Sequence, residues 1–258
     1  MLEMRYAPDR RIRVPPRQVP RTHRRTLRES GGVGLFADVV NVFVDPRGQY
    51  GNPLGIIWSS DSTRGQEQQI ASDLGFSETI FIDEVSDGRC RARIFTPTRE
   101  LAFAGHPTVG LAAWLRGSGD DIRSIVVPAG TVHVRTERDL VFVTAVPDWG
   151  PEFEFQQLES PRDVESVDPA AYGGGIFYVW AWSDKRAGRV RSRMFGPAIG
   201  IPEDPATGAA AIRLAGMLGR DLEITQGEGS QLFARVVDDG RLVEVGGRTA
   251  NAGNVEIR

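Results

Sequence analysis

Apolar and polar residues alternate along much of 124–147, "SIVVPAGTVHVRTERDLVFVTAVP", and this period of two predicts a β-meander. Earlier, "LFADVVNVFV" at 35–44 and "LGIIW" at 54–58 are short branched runs separated by the turn-rich "DPRGQYGNP", so both read as strands. "STRGQEQQIASDLG" at 62–75 reads as a helix, with Ser62 or Thr63 near its N-cap and Gly75 closing it. "ETIFIDEV" at 78–85 and "CRARIFTP" at 90–97 return to the strand pattern. "FAGHPTVGLAAWL" at 103–115 breaks it with a second helix.

After Pro147 the pattern weakens over an acidic stretch rich in Pro and Gly. It resumes with the strands "GIFYVWAWSD" and "RVRSRMFGP", a helix within "GIPEDPATGAAAIRL", and then the strand-like "LEITQGEG", "LFARVVDDGRLVEVGG" and "NVEIR". Strands dominate, one helix is embedded late in each half, and no βαβ alternation repeats. The fold class expected is therefore α+β.

The two halves also echo each other in sequence. At a separation of 98, "HPTVGLAA" and "DPATGAAA" share Pro107/Pro205, Gly110/Gly208, Ala112/Ala210 and Ala113/Ala211. At a separation of 100, "RARIFTP" and "RSRMFGP" share Arg91/Arg191, Arg93/Arg193, Phe95/Phe195 and Pro97/Pro197. Two coincidences in the same order indicate two homologous halves.

Composition narrows the functions available. The chain has 258 residues, 25% of them charged, and a net charge of −3, which gives no reason to expect a nucleic-acid partner. Cys90 is the single cysteine, which excludes an intrachain disulfide, a thiol pair and a cysteine zinc site. His23, His106 and His133 lie far apart, so no metal is expected. "GGVG" and "YGGG" lack the strand–loop–helix context of a phosphate site. No run of about 20 apolar residues occurs and no signal-peptide core is visible, so the protein is expected to be cytoplasmic and away from membranes. Residues 1–33 are set apart: nine arginines stand against three acids in the first thirty, with four prolines, and they read as a basic, disordered tail.

The repeated unit has a readable chemistry. In each copy an ionisable residue, His106 or Asp204, is expected at the helix N-cap, followed by Pro at the first helical position, where a missing N–H costs nothing. Asp is among the best N-caps and Thr207 could cap equally well, so either has an ordinary structural use. Histidine caps poorly, which leaves His106 less easily explained. Two such helices facing each other would line a site with N–H groups, suited to a small carboxylate, with His106 and Asp204 on opposite sides. Glu78, at the junction of a helix and an apolar strand, is by itself an ordinary solvated position.

The motifs "DVVNVFVDPRGQYGNPLGII", "ASDLGFSETIFI", "RARIFTPTRELAFAGHPTVGLAAWL" and "SRMFGPAIGIPEDPATGAAA" resemble the PhzF-like phenazine-biosynthesis isomerases of the diaminopimelate epimerase fold, over roughly residues 36–258. The resemblance implies two pseudo-symmetric lobes, here 34–147 and a shortened 148–258, each a β-barrel-like sheet around a central helix, with the active site between them. It implies Glu78, His106 and Asp204 as catalytic residues, and Asn52, Gly105, Thr207, Gly208 and Ala209 as the substrate-binding surroundings. No cofactor is implied, and a homodimer is. A Glu78 buried in the cleft would have its pKa lifted toward about 6–7 for acid–base work. Relatives often carry Ser where this chain has Ala209, which removes one donor. The implied activity is a proton and double-bond shift in a small carboxylate metabolite. A racemase or epimerase and a non-catalytic metabolite binder remain alternatives.

Overall fold

A computed structural model describes residues 35–257; the basic tail read at 1–33 lies outside them. The first half runs β1 (Leu35–Val44), β2 (Asn52–Trp58), α1 (Glu67–Leu74), β3 (Glu78–Ser86), β4 (Arg89–Phe95), β5 (Glu100–Leu101), α2 (Gly105–Gly117), β6 (Ser124–Val127), β7 (Gly130–Glu137) and β8 (Leu140–Ala145). The second runs β9 (Glu154–Gln157), α3 (Pro161–Ser166), β10 (Phe177–Asp184), β11 (Arg189–Gly196), β12 (Ile201–Asp204), α4 (Gly208–Leu218), β13 (Leu222–Gln226), β14 (Ser230–Val237) and β15 (Leu242–Ile257). From β2 onward each element of the first half has its counterpart in the second. "NVEIR" is the end of β15 and not a strand of its own.

Parallel neighbours need a crossover, and the helices supply it. β2 pairs parallel with β3 across α1, as β9 does with β10 across α3. β4 pairs parallel with β6 across α2, as β11 does with β13 across α4. Even the register repeats: Cys90 lies opposite Ile125, and Val190 opposite Ile224.

Closure does not repeat. β1, β2, β3, β4, β6, β7, β8 and β15 pair in sequence, and β15 pairs back onto β1, so the first half is a closed ring of strands. The second half runs β15, β14, β13, β11, β10, β9 and stops, with β9 as an edge. Helix α2 fills the closed ring, burying Val109, Leu111, Ala112 and Leu115. A Cβ at Gly110 would lie 2.6 Å from Leu54 and Val42 side-chain carbons, so only glycine lets the helix sit this close to the wall. Helix α4 buries Ala210, Ala211, Leu214 and Ala215 but leaves Met217 65% exposed. The division drawn at 147 and 148 falls in the turn Pro147–Trp149, and β15 crosses back over it. None of the described helices is long and apolar enough to cross a membrane.

The duplicated arginines explain their own repetition. Arg93 stacks on Phe95 (5.8 Å) and bonds Glu67 of α1 at 2.7 Å. Arg193 stacks on Phe195 (4.8 Å) and donates to the Val167 carbonyl just past α3 at 2.8 Å. Each thereby ties its crossover helix to the outside of its sheet, over a small apolar cluster that includes Phe95 or Phe195.

Three local expectations are corrected. α1 starts later than read: its N-cap is Gln66, and Thr63 instead closes the preceding turn by accepting from the Ser60 amide at 2.8 Å. His106 is not an N-cap but the second residue of α2, whose N-cap is Ala104, so Pro107 is not at the first helical position. Asp204 ends β12, and α4 begins four residues later after Thr207, so Pro205 lies outside the helix. β12 pairs with β11 up to Asp204, opposite Met194. That strand pairing holds in extended form a stretch whose counterpart is already helical.

Candidate active site

Glu78 is the first residue of β3, which enters the ring beside β2 with Leu54 opposite it. His106 projects from the first turn of α2. Its Nδ1 lies 2.9 Å from Glu78 Oε2, and its ring is 3% exposed. The other ring nitrogen, Nε2, is buried with no partner. A buried imidazole nitrogen without a partner is costly to the free protein and suited to receiving or giving a proton when a ligand arrives.

Asp204 comes from the other half. Its Oδ1 accepts from Asn52 Nδ2 at 2.7 Å and its Oδ2 from the Thr207 hydroxyl at 2.5 Å. The helices' amino ends meet between these groups. A Cβ on Gly208 would lie 3.0 Å from the His106 amide nitrogen, and one on Gly105 would lie 3.1 Å from the Gly208 carbonyl carbon. Neither helix has a side-chain cap, so the amides of Gly105, His106, Gly208 and Ala209 have no carbonyl one turn back to receive them. The structure thus brings Glu78, His106, Asp204, Asn52, Gly105, Thr207 and Gly208 together.

Ala209 is placed differently. Its methyl faces the turn after β8, where a Cβ on Gly150 would approach it to 2.9 Å. Arg213 holds that turn by donating to the Gly150 carbonyl at 2.9 Å, and Trp149 packs edge-on against Phe103 at 5.6 Å.

The two acids differ electrostatically. Burial raises Glu78, but the charge and hydrogen bond of His106, with a smaller contribution from the neighbouring Ser77 hydroxyl, outweigh it, so its carboxyl ends below the usual range. The expected lift toward about 6–7 is overturned for this residue, because the histidine partner wins over desolvation. Asp204 shows the lift instead: burial, then the neighbouring charge of Glu78, push it up to about 7 against the opposing bonds from Thr207 and Asn52.

Three residues of this site carry no sequence cue beyond their strand position. Gln226 donates to the Asp204 carbonyl at 2.9 Å and to Thr207 Oγ1 at 2.8 Å, and accepts from the Thr207 amide at 3.1 Å. Tyr178 donates to Gln226 at 3.2 Å and shares a 2.8 Å bond with Ser192. The only hint was that Gln226 precedes a glycine in a turn. Among the described residues no group of three or more His, Cys, Asp or Glu is arranged to hold a metal.

The family model for phenazine biosynthesis-like proteins matches residues 40–167 and 163–257. The chain belongs to this family. Two curated relatives are named trans-2,3-dihydro-3-hydroxyanthranilate isomerase. The one from Pseudomonas aeruginosa is 32% identical over 241 residues, spanning 79% of this chain and 86% of the relative. The one from Pseudomonas chlororaphis is 32% identical over 260 residues, spanning 80% and 94%. Among solved structures, a PhzF-family protein from Enterococcus faecalis superposes with a TM-score of 0.68 at 21% identity, over 88% of this chain and 100% of that one. A hydroxyproline epimerase from Agrobacterium vitis reaches 0.53 at 12% identity, over 86% and 92%, so the family shares the epimerase fold.

Proposed function

We propose that the protein is an isomerase that moves a proton, and with it a double bond, within a small cyclic carboxylate of the dihydro-hydroxyanthranilate class. The observation that carries this reading is the gathering of three ionisable groups at the two helix heads: half-buried Glu78 bonded at 2.9 Å to His106 Nδ1, the unpartnered His106 Nε2, and buried Asp204, with Glu78 drawn below its usual range and Asp204 pushed up to about 7. Environments that drive two carboxyls apart in this way separate a base from an acid. An ionised Glu78 takes a proton from one ring carbon, the neutral carboxyl so formed exchanges that proton with solvent water, and it then protonates a second carbon, while the electron pair shifts along the intervening double bond. His106 steadies the carboxylate through Nδ1 and offers Nε2 to the substrate. Asp204 meets a polar substituent on the opposite wall. The uncapped amides at the head of α2 and α4 suit the substrate carboxylate.

Turnover of trans-2,3-dihydro-3-hydroxyanthranilate in D2O tests this. Deuterium from solvent is expected on one carbon of the product, and Glu78→Gln should slow the reaction about 10³-fold. Undiminished activity in that variant would remove the mechanism. A racemase reading is also favoured by two acids of opposite protonation, and it would be marked by washout of an α-proton from a chiral amino acid with no double-bond shift.

A further inference from the structure

Asn52 belongs to the site, yet both its N–H donors and its oxygen already have partners within the protein. An amide side chain has two N–H donors and one carbonyl oxygen. One donor goes to Asp204 Oδ1 at 2.7 Å and the other to the Ala206 carbonyl at 3.2 Å. The oxygen accepts from the Ser77 hydroxyl at 2.9 Å. The residue is 2% exposed. Its partners lie on opposite halves of the molecule: Ser77 immediately precedes Glu78, and Ala206 sits in the turn between Asp204 and Thr207. A second latch runs beside it, from the Gly51 amide to Ser230 Oγ at 3.0 Å. That latch requires the backbone of Gly51 at φ +85°, where a Cβ would come within 2.8 Å of the Val42 carbonyl oxygen.

We propose that Asn52 is a positioning residue: it clamps the Asp204–Thr207 turn of the second half to the Ser77–Glu78 junction of the first, and it does not contact substrate. Gln226 grips the same turn from behind, so the Asp204 carboxyl is fixed from both sides. Three titratable side chains face that carboxyl: Glu78 from β3, His106 from α2 and Tyr178 from β10. Only Asn52 and Thr207 donate directly to it. Taking away the Asn52 donor leaves Oδ1 buried and unpaired, which favours the protonated carboxyl.

The purpose of the clamp rests on the acid–base reading of Asp204, but its test needs no substrate, so the two fail separately. The intact protein is labelled with [13Cγ]aspartate, and the Asp204 resonance is assigned by its loss in Asp204→Asn. Its titration midpoint in Asn52→Ala is expected to rise by about one to two units over wild type. In Asn52→Asp the introduced carboxyl should couple to Asp204 and split the titration into two separated steps. A residue with only a packing role would lower Tm and leave the midpoint in place. A midpoint unmoved in Asn52→Ala, or a single unshifted step in Asn52→Asp should the alanine variant not fold, overturns the clamp. Where a substrate is turned over, kcat is expected to fall at nearly constant KM; a raised KM with unchanged kcat would make Asn52 a substrate ligand and overturn the proposal.

Discussion

The two halves share their order of elements, their crossovers and much of their register, yet one closes and the other does not. In the first, strands enclose α2 on every side, and its packing is settled by apolar side chains and by the absence of a Cβ at Gly110. In the second, which has no counterpart of β1 among the described residues, α4 also buries an apolar face, and polar contacts are added to it: Gln226 splints the turn before it, and Arg213 reaches the Gly150 carbonyl. Position 115 of the first helix and its counterpart at 213 show the exchange directly, a buried leucine in the ring and a tethered arginine at the gap. Homology fixes the path of the chain, while closure decides whether polar contacts are added to the apolar packing of the central helix.

This contrast has measurable consequences. The largest is expected in the helix cores. Leu111 and Leu214 are both fully buried, but a cavity in a closed ring relaxes less than one beside an open edge. Leu111→Ala should therefore cost about 4 kcal/mol and Leu214→Ala about 2, read from urea unfolding. Equal costs would show that the gap gives no freedom to collapse.

Next is the pH dependence contributed by the open half. Asp204 binds its proton more tightly folded than unfolded, so its contribution to stability is complete below about 4 and is lost as pH rises toward about 7. Glu78, held below its usual range, acts in the opposite sense, with stability present above its unfolded pKa and lost as pH falls. Asp204→Asn should consequently gain on wild type by on the order of 3 kcal/mol between pH 4 and 7.5. Parallel stability curves for the two proteins would contradict the raised carboxyl.

The smallest effect concerns the paired arginines. Arg193 is 13% exposed and Arg93 is 32% exposed, which leaves the latter better screened by solvent. Thermal unfolding should show Arg193→Ala losing about 2 kcal/mol and Arg93→Ala about 1 or less. A reversal would mean that α1 depends on its anchor more than α3 does.

The repeat was legible because it is written in local residues. The Arg–x–Arg–x–Phe strands and the Gly–Ala helix segments recur at nearly constant spacing; the arginines keep a common local job in the fold, while Gly110 packs on the wall and Gly208 meets the head of α2. Glu78, His106 and Asp204 stood out by motif, and the meander by its period of two. What was not legible depends on long-range pairing. Nothing within 200–208 tells that β12 holds Asp204 in extended form, since the strand that does so is β11. The low Glu78 and the high Asp204 follow from which neighbour each acquires across the fold. Gln226, Tyr178 and Ser192 read as plain strand residues until three strands place them in contact.

The sixteen residues of β15 belong to both halves: Val245 lies against β8 and β14, and farther along Leu35 finds its partner in Ile257. The barrel that begins folding from the early strands thus has no seam-closing stave until β15, the last of the described strands, has been made. Until then α2 must wait in an unfinished shell, with the β1 and β8 edges open to the wrong neighbours. Contacts this remote in sequence make for slow, late assembly.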